Sequence, residues 1–394
     1  MVKKQIKKAD VDILDRIYTR IVNLLKAKRS EFTPFFRRII RFIALPYCYI
    51  KLVNWNECSA SRKQVVKDFL YIFFKLKYFP DNYSQCRLWE KDKSMWHLYY
   101  GSNYDPYQRG RLEKEVKRPE YQILFDDKEL CYDLCQCKDL PLPKQYGCID
   151  PNDNYKGIIE SILYKSNNRK LIIKPVYGYG GKGIYVALRE NKQIFVHGRD
   201  KVYLIEDFSL NSRSVIQEFA IQHESLEKVF PTSVNSFRVM TLLTMKNEVL
   251  VIAAYVRFGR GKAVVDNRSA GGIAVGVNID EGTLMTIGYD YSGKCYSKHP
   301  ESKITFSDFR IPYWSEVIEL SKKIQYIFPY IKMLGSDIAV TPTGPIILEI
   351  NPDATVVGIE QTSGPILANK QVRDEFRNYD LLINGMSRQC AARN

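Results

Sequence analysis

The sequence predicts an α+β protein: a mostly helical, basic first third, followed by strands joined through tight turns. Three observations carry this. Apolar residues recur at helical spacing between residues 9 and 77, strand-like runs rich in Val, Ile and Tyr dominate from 171 to 279, and a hairpin pattern, SDIAVT-PTG-PIILEI, closes the informative part of the chain. These divide the chain into a basic accessory region over 1–115, a first mixed unit over 116–230 that holds a glycine hairpin, and a second over 231–394 that ends in a helix.

The first helix is expected over 9–29, where Val11, Leu14, Ile17, Tyr18, Ile21, Leu24 and Leu25 share one face. Further helices are expected over 33–45, opening on Thr33 and Pro34, and over 61–77, with Ser61 as cap. Residues 80–118 are aromatic, polar and less periodic, and no catalytic constellation stands out in them. A helix should begin near Asp127 and lead into the proline-punctuated LPLPKQYG, and YKGIIESILYKS should form another. Strands are expected at KVYLIE, at 214–222, at 234–244 and 249–258 around a Lys-Asn-Glu turn, and at 273–279. Helices over 314–328 and 367–383 complete the pattern.

A length of 394 residues and 45% hydrophobic content allow two or three domains with a substantial core, and 27 tyrosines argue against disorder. The net charge of +15 is concentrated in residues 1–118, in runs such as VKKQIKKAD, FFRRIIRF and KEVKRPEY. Such a face suits nucleic acid, anionic lipid or a phosphorylated glycolipid, or is simply a solvated helical surface. No sequence-specific nucleic-acid module is visible. Nine cysteines with no paired CxxC set and four histidines argue against structural zinc and for free thiols in a reducing cytoplasm. No signal peptide is expected, and the most apolar run, FIALPYCYI, falls far short of the roughly 20 residues a spanning helix needs. The surrounding FFRRIIRFIALPYCYIKLVNW reads either as a segment lying on a membrane surface or as a core helix.

The stretch LIIKPVYGYGGKGIYVA, residues 171–187, reads as strand, glycine loop, strand. Glycines let backbone N–H groups approach a phosphate, and Lys182 adds charge. A Walker loop or a Rossmann turn would need a helix after the glycines, whereas Ile184 opens a strand-like run. What remains is a glycine hairpin folding over a nucleotide, or a plain surface hairpin.

Near the other end, Pro342, Thr343 and Gly344 form a three-residue turn between SDIAVT and PIILEI. Pairing Thr341 with Pro345 and counting back sets Asp337 opposite Glu349, with Cβ atoms roughly 4.5–5.5 Å apart. Asn351 points to the same face. Opposed carboxylates repel, and a divalent cation is the simplest compensation: Mg²⁺ favours one or two carboxylates plus nucleotide phosphates.

Taken in order over about 121–360, these features resemble the ATP-grasp superfamily. FPTSVNSFRVMTLL, VDNRSAGG and GSDIAVTPTGPIILEINPDA look like the sugar-transfer-associated ATP-grasp proteins, relatives of glutamate ligases encoded beside polysaccharide genes. The N-terminal third departs from members such as D-alanyl-D-alanine ligase, which begin with a Rossmann-like lobe. The resemblance implies an ATP-grasp fold, two α+β subdomains clasping ATP. It implies that Lys128 and Lys174 meet the α and β phosphates and that Tyr179, Gly180, Gly181, Lys182 and Gly183 close over the triphosphate. Gln217, Glu218, Phe219 and Ala220 would meet the adenine, and Glu224, or its rival Glu227, the ribose. Arg238, Arg257 and Asn267 would stabilise transferred charge, with Gly271 and Gly272 helping to hold phosphate. Asp337, Glu349 and Asn351 would bind Mg²⁺, as two ions. His223 either faces substrate or makes a structural hydrogen bond.

The implied chemistry is ATP activation of a carboxylate to an acyl phosphate, attacked by an amine to give an amide. The expected enzyme attaches an amino acid to a sugar of a bacterial surface polysaccharide, such as a capsule, or to its precursor. A lipid-linked acceptor would suit the basic N-terminal region, at the inner face of the membrane. The alternatives are a kinase-like transfer to a sugar hydroxyl and a nucleotide-binding scaffold without turnover.

Overall fold

The computed structural model describes residues 34–100, 116–165, 170–178, 180–199, 201–261, 263, 266, 271–352 and 356–382; the helix expected over 9–29, Tyr179 and Asn267 lie outside them. The N-terminal region is helical. Helix α1 (Pro34–Ile43) continues through helical turns at Leu45–Tyr47 and Cys48–Leu52, and Pro46 is tolerated because it stands at the start of its own turn. Helix α2 (Arg62–Tyr71) is capped by Ser61, whose hydroxyl accepts the Gln64 N–H, and a wider turn at Ile72–Leu76 ends it at Lys77, in the left-handed region. From residue 80 the chain is less irregular than expected, with helical turns at Asn82–Gln85, Leu88–Glu90 and Lys93–Leu98 that are too short to show periodicity.

The next helix, α3 (Lys128–Gln136), begins where Asp127 accepts the N–H groups of Glu129 and Leu130. Strands β1 (Gln145–Ile149), β2 (Lys170–Pro175), β3 (Tyr185–Glu190), β4 (Gln193–His197), β5 (Val202–Leu204) and β6 (Ser214–Glu218) form one antiparallel sheet in the order β1-β6-β2-β3-β4-β5. Helix α4 (Tyr155–Lys165) packs on it, burying Ile159 and Leu163 against Leu171, Ile173 and Ala187. Strand β6 is shorter than the run at 214–222 suggests. Beyond Glu218 the ladder stops, and the Gln222 side chain donates to the carbonyls of Phe230 and Ser233 instead.

The second sheet contains β7 (Ser236–Leu243), β8 (Val249–Phe258), β9 (Ile273–Asn278), β10 (Thr283–Tyr289), β11 (Cys295–Tyr296), β12 (Met333–Thr341) and β13 (Gly344–Asn351), in the order β11-β10-β9-β8-β7-β12-β13. Its two faces carry separate cores, because side chains alternate along each strand. Phe237, Val239, Ala254 and Val256 pack with α5 (Trp314–Ile327) and with Phe125 and Cys135 from the segment around α3. Met240, Leu242 and Ala253 pack instead with the N-terminal helices and with α6 (Val356–Ser363) and α7 (Lys370–Asn378). The terminal helix expected over 367–383 is thus shorter. Asn369 caps it, and the unexpected α6 precedes it.

The β12–β13 hairpin corrects one expectation. Thr341 pairs with Gly344, not Pro345, so only Pro342 and Thr343 lie between the paired residues, and a bulge at Leu348 restores the alignment that sets Asp337 opposite Glu349. The turn is tighter, and the extra residue sits beside the site, where bulges re-aim side chains.

Asn235 ties the segment after β6 to β7. Fully buried, its amide nitrogen donates to Gln222 Oε1 at 2.8 Å and to the carbonyls of Leu226 and Phe230 at 2.9 Å each. Asn235→Ala should therefore lower stability by about 2 kcal/mol by stranding these acceptors. A thermal melt unchanged from wild type would show that the knot is dispensable.

Candidate active site between the two sheets

A cavity of about 320 Å³ opens between the sheets beneath the glycine loop. From the first sheet come Ile172, Lys174 and Glu218, with Gly178, Gly180, Gly181 and Lys182 above them. The second sheet supplies Ser236, Arg238, Tyr255, Arg257, Asp337, Leu348, Glu349 and Asn351. Lys128, at the first turn of α3, completes the lysine pair. Its ammonium donates to the Gly178 carbonyl at 3.0 Å and lies 3.7 Å from Glu349.

The glycine loop is anchored at its entry: Tyr177 donates to Asp127 at 2.6 Å, and the Lys128 N–H to the Val176 carbonyl at 3.2 Å. Gly183 has φ +71°, and a Cβ there would meet Pro175 at 2.9 Å, so a side chain would break the return of the loop into β3. Gly272 is needed for space, since a Cβ would lie 2.4 Å from the Asp266 carbonyl oxygen.

At the floor, strand register lines up one row across four strands: Glu349 on β13, Asp337 on β12, Arg238 on β7 and Tyr255 on β8. Arg238 grips both oxygens of the buried Asp337. Arg257 reaches the same carboxylate at 2.8 Å and lies 3.4 Å from Asp266, which in turn accepts from the N–H and hydroxyl of Ser236. Burial works to raise the Asp337 carboxyl, and the two guanidinium groups overcome it, holding it below the usual carboxylate range. For Asp266 burial wins over Arg257 and the Ser236 donors, and its carboxyl is raised.

This arrangement corrects the simplest argument from the sequence. The opposed carboxylates are reconciled by the protein itself, Asp337 by two arginines and Glu349 by Lys128. Nor is Asp337 on an exposed strand: every residue of β12 is buried, and Glu349 on β13 is partly so. Among the described residues no group of three or more His, Cys, Asp and Glu side chains is placed to hold a metal. Asp337, Glu349 and the Asn351 amide nevertheless face the same cavity, and Asn351 Nδ2 is buried without a partner. Rotating that amide presents its oxygen, and three oxygen donors fit a hard cation such as Mg²⁺.

The structure brings Lys128, Lys174, Lys182, Gly180, Gly181, Glu218, Phe219, Ala220, Arg238, Arg257, Asp337, Glu349 and Asn351 to one cavity. Several other candidates stand apart from its lining. Gln217 lies on the same sheet face as Ile172 but donates to Gln145 at 3.0 Å, in the adjoining recess behind Lys128 and Lys174. Glu224 is exposed and 3.9 Å from Lys228, and Glu227 is exposed on the same turn, so of these acids only Glu218 is a lining residue. His223 caps that turn, its ring bonded to Ser225 at 3.0 Å. Gly183, Gly271 and Gly272 also lie outside the lining, Gly271 at φ +98°. Ser236 and Tyr255 were not singled out in the sequence; each stands two residues before an arginine on the same strand face, and that alternation is the signal that could have found them.

Lys174 is 8% exposed, and burial pulls its ammonium down to about 8 despite the nearby Glu349. An exposed lysine titrates near 10.4, so the unfolded chain binds the extra proton between the two values. The cost to stability is complete below pH ~8 and is relieved as pH rises toward ~10. Lys174→Met should accordingly raise stability by about 1–3 kcal/mol at neutral pH, and its advantage over wild type in chemical denaturation should shrink by pH ~10. By contrast, Asp337→Ala should cost about 3–5 kcal/mol, because it leaves two buried guanidinium groups without their carboxylate. A denaturation midpoint close to wild type would refute that pairing.

A family profile described as sugar-transfer associated ATP-grasp matches residues 107–373. No curated protein matches the chain. Similar solved structures include phosphoribosylamine–glycine ligase from Thermotoga maritima, 14% identical over 67% of this chain and 57% of that one, TM-score 0.41. Others are D-alanine–D-alanine ligase from Coxiella burnetii, 11% identical over 69% and 61%, TM-score 0.34, and N5-carboxyaminoimidazole ribonucleotide synthetase from Thermotoga maritima, 12% identical over 64% and 51%, TM-score 0.34. The chain thus spans less than two thirds of the length of each. With the match covering most of its length, the chain belongs to the sugar-transfer-associated ATP-grasp family, within the ATP-grasp enzymes, which use ATP and Mg²⁺.

Proposed function

We propose that this protein is an ATP-dependent carboxylate–amine ligase that forms an amide through an acyl phosphate, joining an amino acid to a sugar of a bacterial surface polysaccharide or its precursor. One observation carries the reading: three lysines, two arginines and an oxygen-donor set line one cavity under a glycine loop. Ile172, Ile184, Phe219 and Leu348 offer apolar surface for a base, and Lys128 and Lys174 offer charge for its phosphates. Burial makes Lys174 a group that gains from an arriving anion, which offsets the cost of holding its charge in the pocket.

Asp337, Glu349 and Asn351 would hold Mg²⁺, which supplies charge neutralisation at the triphosphate. Arg238 and Arg257 are kept protonated, burial being outweighed by Asp337 and Asp266, and their guanidinium groups suit the charge that develops on a transferred phosphoryl group. The glycine loop would cover the reactants and exclude water, which would otherwise hydrolyse an acyl phosphate. The reaction itself needs no covalent enzyme intermediate: a carboxylate oxygen takes the phosphoryl group, an amine displaces phosphate, and ADP and the amide leave. A sugar or glycan is the acceptor or the carboxylate donor, either free or on a lipid carrier.

The test is ADP formation with Mg-ATP across single amino acids combined with uronic-acid and amino-sugar partners. ADP that requires both partners, with a product lighter than their sum by one water, is the expected result; a phosphorylated sugar would overturn the ligase in favour of a kinase. Glu349→Gln should reduce turnover by about 10²–10³-fold while the thermal melt stays near that of wild type. Full activity in that variant would remove Glu349 from the machinery.

A further inference from the structure

Of the two helices that open the described chain, α2 is apolar on two faces and α1 beside it exposes large apolar side chains. On α2 and the wider turn that ends it, Val65, Phe69, Ile72 and Phe73 enter the core, while Val66, Leu70 and Phe74 form a second stripe in solvent at four-residue spacing. On α1, Phe36, Ile39, Phe42 and Ile43 are exposed, Phe36 by 55% and Ile43 by 65%. Phe42 and Phe74 have ring centroids 5.6 Å apart, so the two stripes join into one patch. A helix packed on a core and otherwise solvated places polar residues on its outer face. These two do not.

The charge around the patch has one sign. Residues 34–77 hold nine Lys and Arg against two acids, and both acids are engaged elsewhere. Asp68 is buried, accepting from Tyr83 at 2.8 Å and Lys93 at 2.9 Å, and Glu57 lies 3.3 Å from Arg87. Lys63, Lys67 and Lys75 are exposed beside the outer stripe of α2. Arg38 stacks on Phe73 at 4.2 Å and donates to the Phe73 and Lys77 carbonyls, fixing the two helices against each other. Protein interfaces are depleted of lysine, whereas an amphipathic face of large apolar side chains rimmed by lysine suits the headgroup boundary of an anionic bilayer. No helix among the described residues is long and apolar enough to cross a membrane.

We propose that the outer face of α1 and α2 docks the protein on anionic lipid bilayers, with Phe36, Ile39, Phe42, Ile43, Leu70 and Phe74 entering the headgroup boundary and Lys63, Lys67 and Lys75 meeting lipid phosphates. The proposal does not depend on the ligase reading, since none of these residues lines the cavity.

The experiment is co-sedimentation of the full chain with phosphatidylcholine vesicles, with and without about 30% phosphatidylglycerol, at physiological salt. Binding to the anionic vesicles should be at least about tenfold tighter. Leu70→Ser/Phe74→Ser should weaken it by about tenfold or more, and so should Lys63→Glu/Lys67→Glu, with melting temperatures near wild type because all four side chains are exposed. Equal or absent binding to both vesicle types, or binding that ignores both variants, would overturn the proposal. So would a dimer, seen by sedimentation velocity without lipid, that Leu70→Ser/Phe74→Ser dissociates.

Discussion

The buried Asp337 carboxylate, gripped by Arg238 and Arg257, is the constraint on which the rest of the site depends. Strand β12 is buried along its whole length between β7 and β13, so a charge there survives only with partners of opposite sign. Arg238 comes from the neighbouring strand in register, while Arg257 reaches across from β8, two residues beyond the row, and extends the network to Asp266 and Ser236. The row therefore fixes how β7, β8 and β12 align. It also presents two permanently charged guanidinium groups to a cavity otherwise shaped by strand ends and a glycine loop.

The N-terminal region is part of this construction. Residues from the turns after α1, from α2 and from the turns up to Tyr100 share one core with Met240, Leu242 and Met333, covering the face of the second sheet opposite α5. The Tyr100 N–H reaches the buried Glu360 carboxylate at 2.7 Å, joining that region to α6. A sheet covered on both faces holds its strands rigidly, and a rigid sheet is what positions a charged row to within hydrogen-bonding distance. The same helices keep large apolar side chains on their outer face, which packing against the sheet does not require.

Tension between stability and chemistry is concentrated at Lys174. Burial opposes its charge, while Glu349 and Asp337 favour it and Lys128 opposes it again. A site that receives a polyanion gains from such a group, because the incoming charge relieves what the empty pocket costs. Cys131 and Cys135, one turn apart on α3, sit behind Lys128 and Lys174 and make that side of the pocket apolar.

The sequence by itself determined the local elements and the identity of most polar groups at the site. Ser61 and Asp127 mark helix starts, alternation marks β7 and β8, and the glycines between two β-branched runs mark the loop; all are properties of residues close in the chain. The opposition of Asp337 and Glu349 was legible because a hairpin is local, although the turn is one residue tighter and a bulge compensates. Short strands such as β1 and β4 were not legible, since their pairing rather than their composition makes them strands. Only the tertiary structure decided that Arg238 and Arg257 share Asp337, that Lys128 lies beside Glu349, and that Glu218 rather than Glu224 lines the cavity. Those facts join residues some 80 to 220 positions apart, through sheet pairing and burial that no local pattern encodes.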